Sequence, residues 1–133
     1  MARYVIDAPT LLHLVDAGLR VALGHQLVAP NSVRSEALEL LLRDVVRETH
    51  RSGSLGSPRA DDEMKIRLLG DRVSRCTAWQ VARRHDWDTL KDAEYLAITR
   101  LQADALATVD ARLAAAARDA VPVASIDDLL SIG

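Results

Sequence analysis

The sequence predicts an α/β domain of three layers, with helices on both faces of a central parallel sheet of four to five strands and a helical insertion after the second strand. Three observations predict it. Short aliphatic and β-branched runs alternate with stretches whose apolar residues fall at helical spacing. The early runs end on breakers, Asp7 before Pro9 and Ala29 before Pro30-Asn31. Strands separated by helices pair in parallel through right-handed crossovers.

In order, Arg3 to Asp7 (RYVID) reads as a first strand, and Pro9 suits the first turn of the helix that follows. Leu11, Leu12, Leu14, Val15 and Leu19 line one side of that helix, with Gly18 near its stop. A second strand spans Gln26 to Ala29. After Pro30 a helix carries Val33, Ala37, Leu40, Leu41, Val45 and Val46 inward, with Glu36 early in it. The stretch HRSGSLGSPR from His50 to Arg59 can only be a loop.

From Ala60 to Trp87 the pattern predicts helix in two pieces, exposing Arg67, Arg72, Arg75, Arg83 and Arg84. A helix from Ala93 to Gln102 precedes a strand from Ala105 to Val109. A short helix at Ala111 to Asp119, a strand at Val121 to Ala124 and a last turn of helix from Ile126 complete a single domain over residues 1–133.

Composition narrows the class. With 49% hydrophobic and 27% charged residues the chain reads as a soluble globular protein, and no apolar run reaches the length of a membrane span. The opening MARYVIDAP carries no signal-peptide pattern, so the expected compartment is the cytoplasm. Cys76 stands alone and reads as a small packing residue. Net charge is −2, but residues 43 to 84 sum to +4 and the remainder to −6. A solvated helical surface and a phosphate-binding arm account for the basic half about equally well.

The acids carry the chemistry. Asp7 and Asp110 end strands, Asp92 opens the helix that feeds the Ala105 strand, and Glu36 lies early in the helix after the second strand. All four should meet at the carboxyl end of the sheet, where ligands of such folds bind. Clustered carboxylates repel one another unless a cation sits among them, and oxygen ligands suit Mg²⁺ or Mn²⁺ over zinc. Singly, each aspartate has a structural alternative as a helix N-cap, and Glu39 competes with Glu36. Three caps and a glutamate sharing one rim is the less economical account.

These stretches are similar to the PIN-domain family of metal-dependent ribonucleases, in its small single-domain branch, the VapC-type toxins of bacterial toxin-antitoxin pairs. The resemblance rests on VIDAPTLL around Asp7, VAPNSVRSEALELL with Glu36, LKDAEYLAI at Asp92, and LATVDARL with Thr108 and Asp110. It implies a PIN-like fold in which Asp7, Glu36, Asp92 and Asp110 hold Mg²⁺ or Mn²⁺ and Thr108 supports them. It also implies hydrolysis of tRNA, rRNA or mRNA, a homodimer, and an antitoxin protein that places a basic side chain among the acids. Many relatives have a small hydroxyl residue where this chain has Pro9, so that hydrogen bond must be absent or come from Thr10. Residues 50 to 75 match no part of the pattern.

Other readings rest on less. Trp79 and Trp87, with Arg83 and Arg84 between them, could stack on bases, but their spacing favours a shared core face. His85-Asp86 lacks a supporting histidine, and His13, His25 and His50 offer no ligand pairing. An aspartyl phosphatase would need a second aspartate where Pro9 stands. The remaining alternative is a catalytically inactive PIN-like module that binds RNA or protein.

Overall fold

The computed structural model describes residues 2–48 and 65–130, with side chains left out for 44–48. Five strands form one sheet: β1 (Ala2–Ile6), β2 (His25–Pro30), β3 (Arg67–Leu69), β4 (Ala105–Ala107) and β5 (Val123–Ala124). Their order is β3-β2-β1-β4-β5, and every pairing is parallel. The helices are α1 (Ala8–Asp16), α2 (Val33–Glu48), α3 (Arg72–Arg84), α4 (Lys91–Gln102), α5 (Ala111–Ala117) and α6 (Ile126–Leu130). This is the three-layer α/β/α arrangement.

Chain direction explains the layers. From β1 the chain moves outward to β2 and β3, then returns past both to place β4 on the other side of β1. Right-handed crossovers therefore lay α1 and α2 over one face and α4 and α5 over the other. Consistently, α1 packs on α2, while α4 touches β1, β2 and β4 and carries α3 on its outer side.

The core is the matching set of inward residues. Val5 and Ile6 of β1, Val28 and Ala29 of β2, and Leu106 and Ala107 of β4 are shut off from solvent. Leu11 and Leu14 cover them from α1, Val33 and Ala37 from α2, and Leu96 and Ala97 from α4. Central strands buried on both faces have no polar alternation, and the runs YVI and LVA show that. The apolar side of α1 is core, whereas α2 leaves Leu38 and Leu42 exposed.

Cys76, read as a small packing residue, lies exposed, and two further expectations change here. The span after the second strand is not all helix, since residues 67–69 pair with β2 as the edge strand β3. Three residues with Arg67 and Leu68 turned to solvent leave no alternation to read, and pairing with β2 supplies what local sequence lacks. The described helix of that span is α3, begun by a capping box in which the Asp71 side chain accepts from the Ser74 backbone N–H and Ser74 Oγ accepts from that of Asp71. The second correction concerns Trp79, which lies 56% exposed on α3, while Trp87 is half-buried against the core. Asp86 takes a positive φ of 56°, so the chain has left the helix before Trp87 and the two rings do not share a helical stripe. The loop expected at His50 to Arg59, the helical start at Ala60 and the inward Val45 and Val46 side chains fall outside the described residues.

Candidate functional site

Strand order reverses between β1 and β4, and the carboxyl ends of these neighbours form the crevice where such sheets bind ligands. Register brings the two ends together. Ile6 pairs with Ala107, so the next residues on each strand, Asp7 and Thr108, stand side by side. Thr108 Oγ1 donates to Asp7 Oδ2 at 2.8 Å, and Thr10 Oγ1 donates to Asp7 Oδ1. Both hydroxyls are themselves fixed, because Val109 N–H donates to Thr10 Oγ1 and Asp110 N–H to Thr108 Oγ1, each at 3.0 Å. Thr10 thus supplies the hydroxyl contact that Pro9 cannot.

Asp7 is 3% exposed. It occupies the N-cap position of α1 without making a side-chain cap bond, so capping does not account for it. Burial raises its carboxyl above the ordinary value, and the two threonine hydroxyls only partly offset this. A buried carboxyl in this state gains from any cation brought beside it.

Asp110 does cap α5, accepting from the backbone N–H groups of Arg112 (2.9 Å) and Leu113 (3.3 Å). Its other oxygen lies 3.5 Å from the Arg112 guanidinium. Asp92 is not a cap, since Leu90 holds that position and Asp92 sits in the first turn of α4. Arg112 Nη1 donates to Asp92 Oδ2 at 2.8 Å. The guanidinium is held protonated above its usual value chiefly by this hydrogen bond and the Asp92 charge, with Asp110 and Asp7 contributing. One cation therefore feels three of the four acids.

Glu36 joins through Tyr95. The buried Tyr95 hydroxyl donates to Glu36 Oε2, and Ser32 Oγ donates to Glu36 Oε1 at 3.4 Å. Burial pushes the Tyr95 hydroxyl far up, and the hydrogen bond to Glu36 and the charges of Glu36 and Asp7 push it the same way. Its proton stays on at any physiological pH. Glu94 is raised by burial and then by Glu36, against the opposing pull of Arg75. Glu39 is the outward residue, paired with Arg43 at 3.0 Å along the helix.

The four predicted acids thus stand at one end of the sheet in two groups. Asp92 and Asp110 pair with Arg112, whose charge Asp7 also feels, and Glu36 is tied to Tyr95, whose hydroxyl also feels the Asp7 charge. The donors are all oxygen, which suits a hard divalent ion. Among the described residues, no three His, Cys, Asp or Glu side chains form a group spaced to hold a metal ion. The positive charge paired with Asp92 and Asp110 belongs to Arg112, which lies largely exposed at the edge of the rim.

Sequence reasoning missed Arg112 and Tyr95. Arg112 stands in the first turn of α5, where the helix dipole disfavours a cation, so an arginine there implies an acid beside it. Tyr95 falls three residues after Asp92 on one helix, a spacing that points both toward the same side.

No protein-family model matches the chain, and no curated protein does. Among solved structures the fold is similar to PAE2754 from Pyrobaculum aerophilum, with a TM-score of 0.71 and 18% identity over 97% of this chain and 93% of that one. Likeness at that identity establishes the fold alone. No described helix is long and apolar enough to cross a membrane.

Proposed function

We propose that this chain is a metal-dependent endoribonuclease of the PIN-like kind, acting as the toxin of a toxin-antitoxin pair. The observation that carries the reading is the switch point itself. A buried Asp7 is held by two threonine hydroxyls at the end of β1, Asp110 lies two residues beyond the Thr108 that faces it from β4, and Asp92 and Glu36 lie in the first turns of α4 and α2 at the same end of the sheet.

In this reading Asp7, Glu36, Asp92 and Asp110 would hold Mg²⁺ or Mn²⁺, the ion taking the place of the Arg112 charge at Asp92 and Asp110. Bound there, the ion supplies charge to offset the scissile phosphate and acidify a water. The residues of the chain do the rest. Thr10 and Thr108 fix both oxygens of Asp7, Tyr95 aims Glu36, and a rim carboxylate takes the proton of the attacking water as its oxygen bonds to phosphorus and the bond to the leaving oxygen breaks, that oxygen gaining its proton from solvent. The substrate class is tRNA, rRNA or mRNA in the cytoplasm. A homodimer and an antitoxin that lays a basic side chain among the acids belong to the same reading.

One observation favours a second reading, a catalytically inactive module that binds RNA or protein. Arg112 already neutralises Asp92 and Asp110, as an internal substitute for a metal would. Incubating single-stranded RNA with the protein in Mg²⁺, Mn²⁺ or EDTA separates the two. Cutting that requires the metal and disappears in Asp7→Asn and Asp110→Asn supports the nuclease; RNA binding with no cutting in any condition leaves the module.

A further inference from the structure

The loop from α3 to α4 carries an aromatic and cationic surface that the proposed chemistry does not use. Trp79 is 56% exposed near the end of α3, and the Arg83 guanidinium lies 5.4 Å over its ring. Trp87 stacks on His85 with centroids 4.6 Å apart and planes 23° from parallel. The His85 ring is itself fixed, its Nδ1 2.9 Å from the Val81 carbonyl oxygen. Both indoles line an open cavity of about 200 Å³, together with Arg83, Asp88, Thr89 and Leu90.

The placement is specific. The loop ends at Leu90, and two residues later Asp92 enters the acidic rim. Arg72, Arg75 and Arg83 lie exposed on the side of α3 that carries Trp79, and Arg83 lines the cavity. The chain has two tryptophans and no phenylalanine, and both tryptophans border this one recess. An exposed indole costs solubility, and a core role does not explain it.

We infer that the Trp79–Trp87 recess is a stacking site for an unpaired nucleobase of single-stranded RNA, with Arg83 and the arginines of α3 taking the flanking phosphates. A flat ring capped by a guanidinium suits the face of a base, while Asp88 and Thr89 offer hydrogen-bond partners to its edge. Arginines suit a polyanion and would oppose a basic partner. The choice of RNA rests on the nuclease reading, and the function inferred is positioning: a strand anchored here runs toward Asp92.

The test uses a short single-stranded RNA of mixed sequence in EDTA, with affinity and intrinsic fluorescence measured together. Because both fluorophores border the recess, stacking quenches the signal directly. The expected result is quenching by RNA, none by inorganic polyphosphate, binding weakened about tenfold or more in Trp79→Ala, and binding kept within a few-fold in Trp79→Phe. RNA that binds without quenching and equally well to Trp79→Ala overturns the inference. So does a Trp79→Ala variant whose RNA affinity is unchanged but whose self-association is lost, which would make this face an interface between copies. Metal-dependent cutting is scored separately, so quenching without cutting supports the stacking site while failing the nuclease, and cutting with no effect of Trp79 does the reverse.

Discussion

Asp7 is a carboxyl that folding holds against its own ionisation. Burial raises it, so the folded state keeps its proton at a pH where the unfolded chain has already released it. Between the ordinary value of 3.8 and the raised one the folded state binds more protons, and stability falls as pH rises through that window. Asp7→Asn removes the charge and keeps the shape. Thermal unfolding in EDTA should show the variant melting above the native protein at pH 7, the gap narrowing on acidification and closing below the ordinary carboxyl range. A variant that melts lower at neutral pH would mean that the threonine hydroxyls outweigh the burial. Arg112 is the complementary residue. It competes for the acids an ion would need, so Arg112→Gln should bind Mn²⁺ several-fold more tightly by calorimetry, and weaker binding would show that it helps to build the site.

At the scale of elements, the short strand β4 carries disproportionate weight. Leu106 is wholly buried in a strand of three residues, and the same strand sets the positions of Thr108 and Asp110. Leu106→Ala should cost about 2–5 kcal/mol by denaturant titration. By contrast, Asp71→Ala removes only the cap of α3, expected at about 1 kcal/mol, and should leave RNA cutting unchanged. These elements also show where reading the sequence succeeds. The end of β1 before Asp7 is legible because its β-rich run stops abruptly there, whereas β4 stops at Ala107, short of the expected Val109, and parallel register then sets Asp7 against Thr108. The edge strand β3 is not legible, because its existence depends on β2 as a partner. Nor is the exposure of Trp79, since an eight-residue spacing predicts a shared face only if the helix continues, and it ends at Arg84.

On the scale of the whole molecule, chain order does what no local stretch can. The sheet runs outward to β3 and then back past β1 to β4, and that reversal alone opens the crevice at Asp7. Asp7 and Asp110, 103 positions apart in sequence, are brought to the same end of the sheet, and the charges of both act on Arg112. Placement of these acids at one end of the sheet was therefore readable from topology. The ion pairs at the rim were not, because the direction of the long Arg112 side chain is settled by packing and charge after the backbone is in place. In the proposed function Asp7, Glu36, Asp92 and Asp110 act together on one divalent ion. Mn²⁺ titration of the native protein and of Asp7→Asn, Glu36→Gln, Asp92→Asn and Asp110→Asn tests it most directly. The account predicts one saturable site at the rim whose affinity drops about tenfold or more in every variant; binding that is absent from the native protein, or indifferent to all four substitutions, would contradict it.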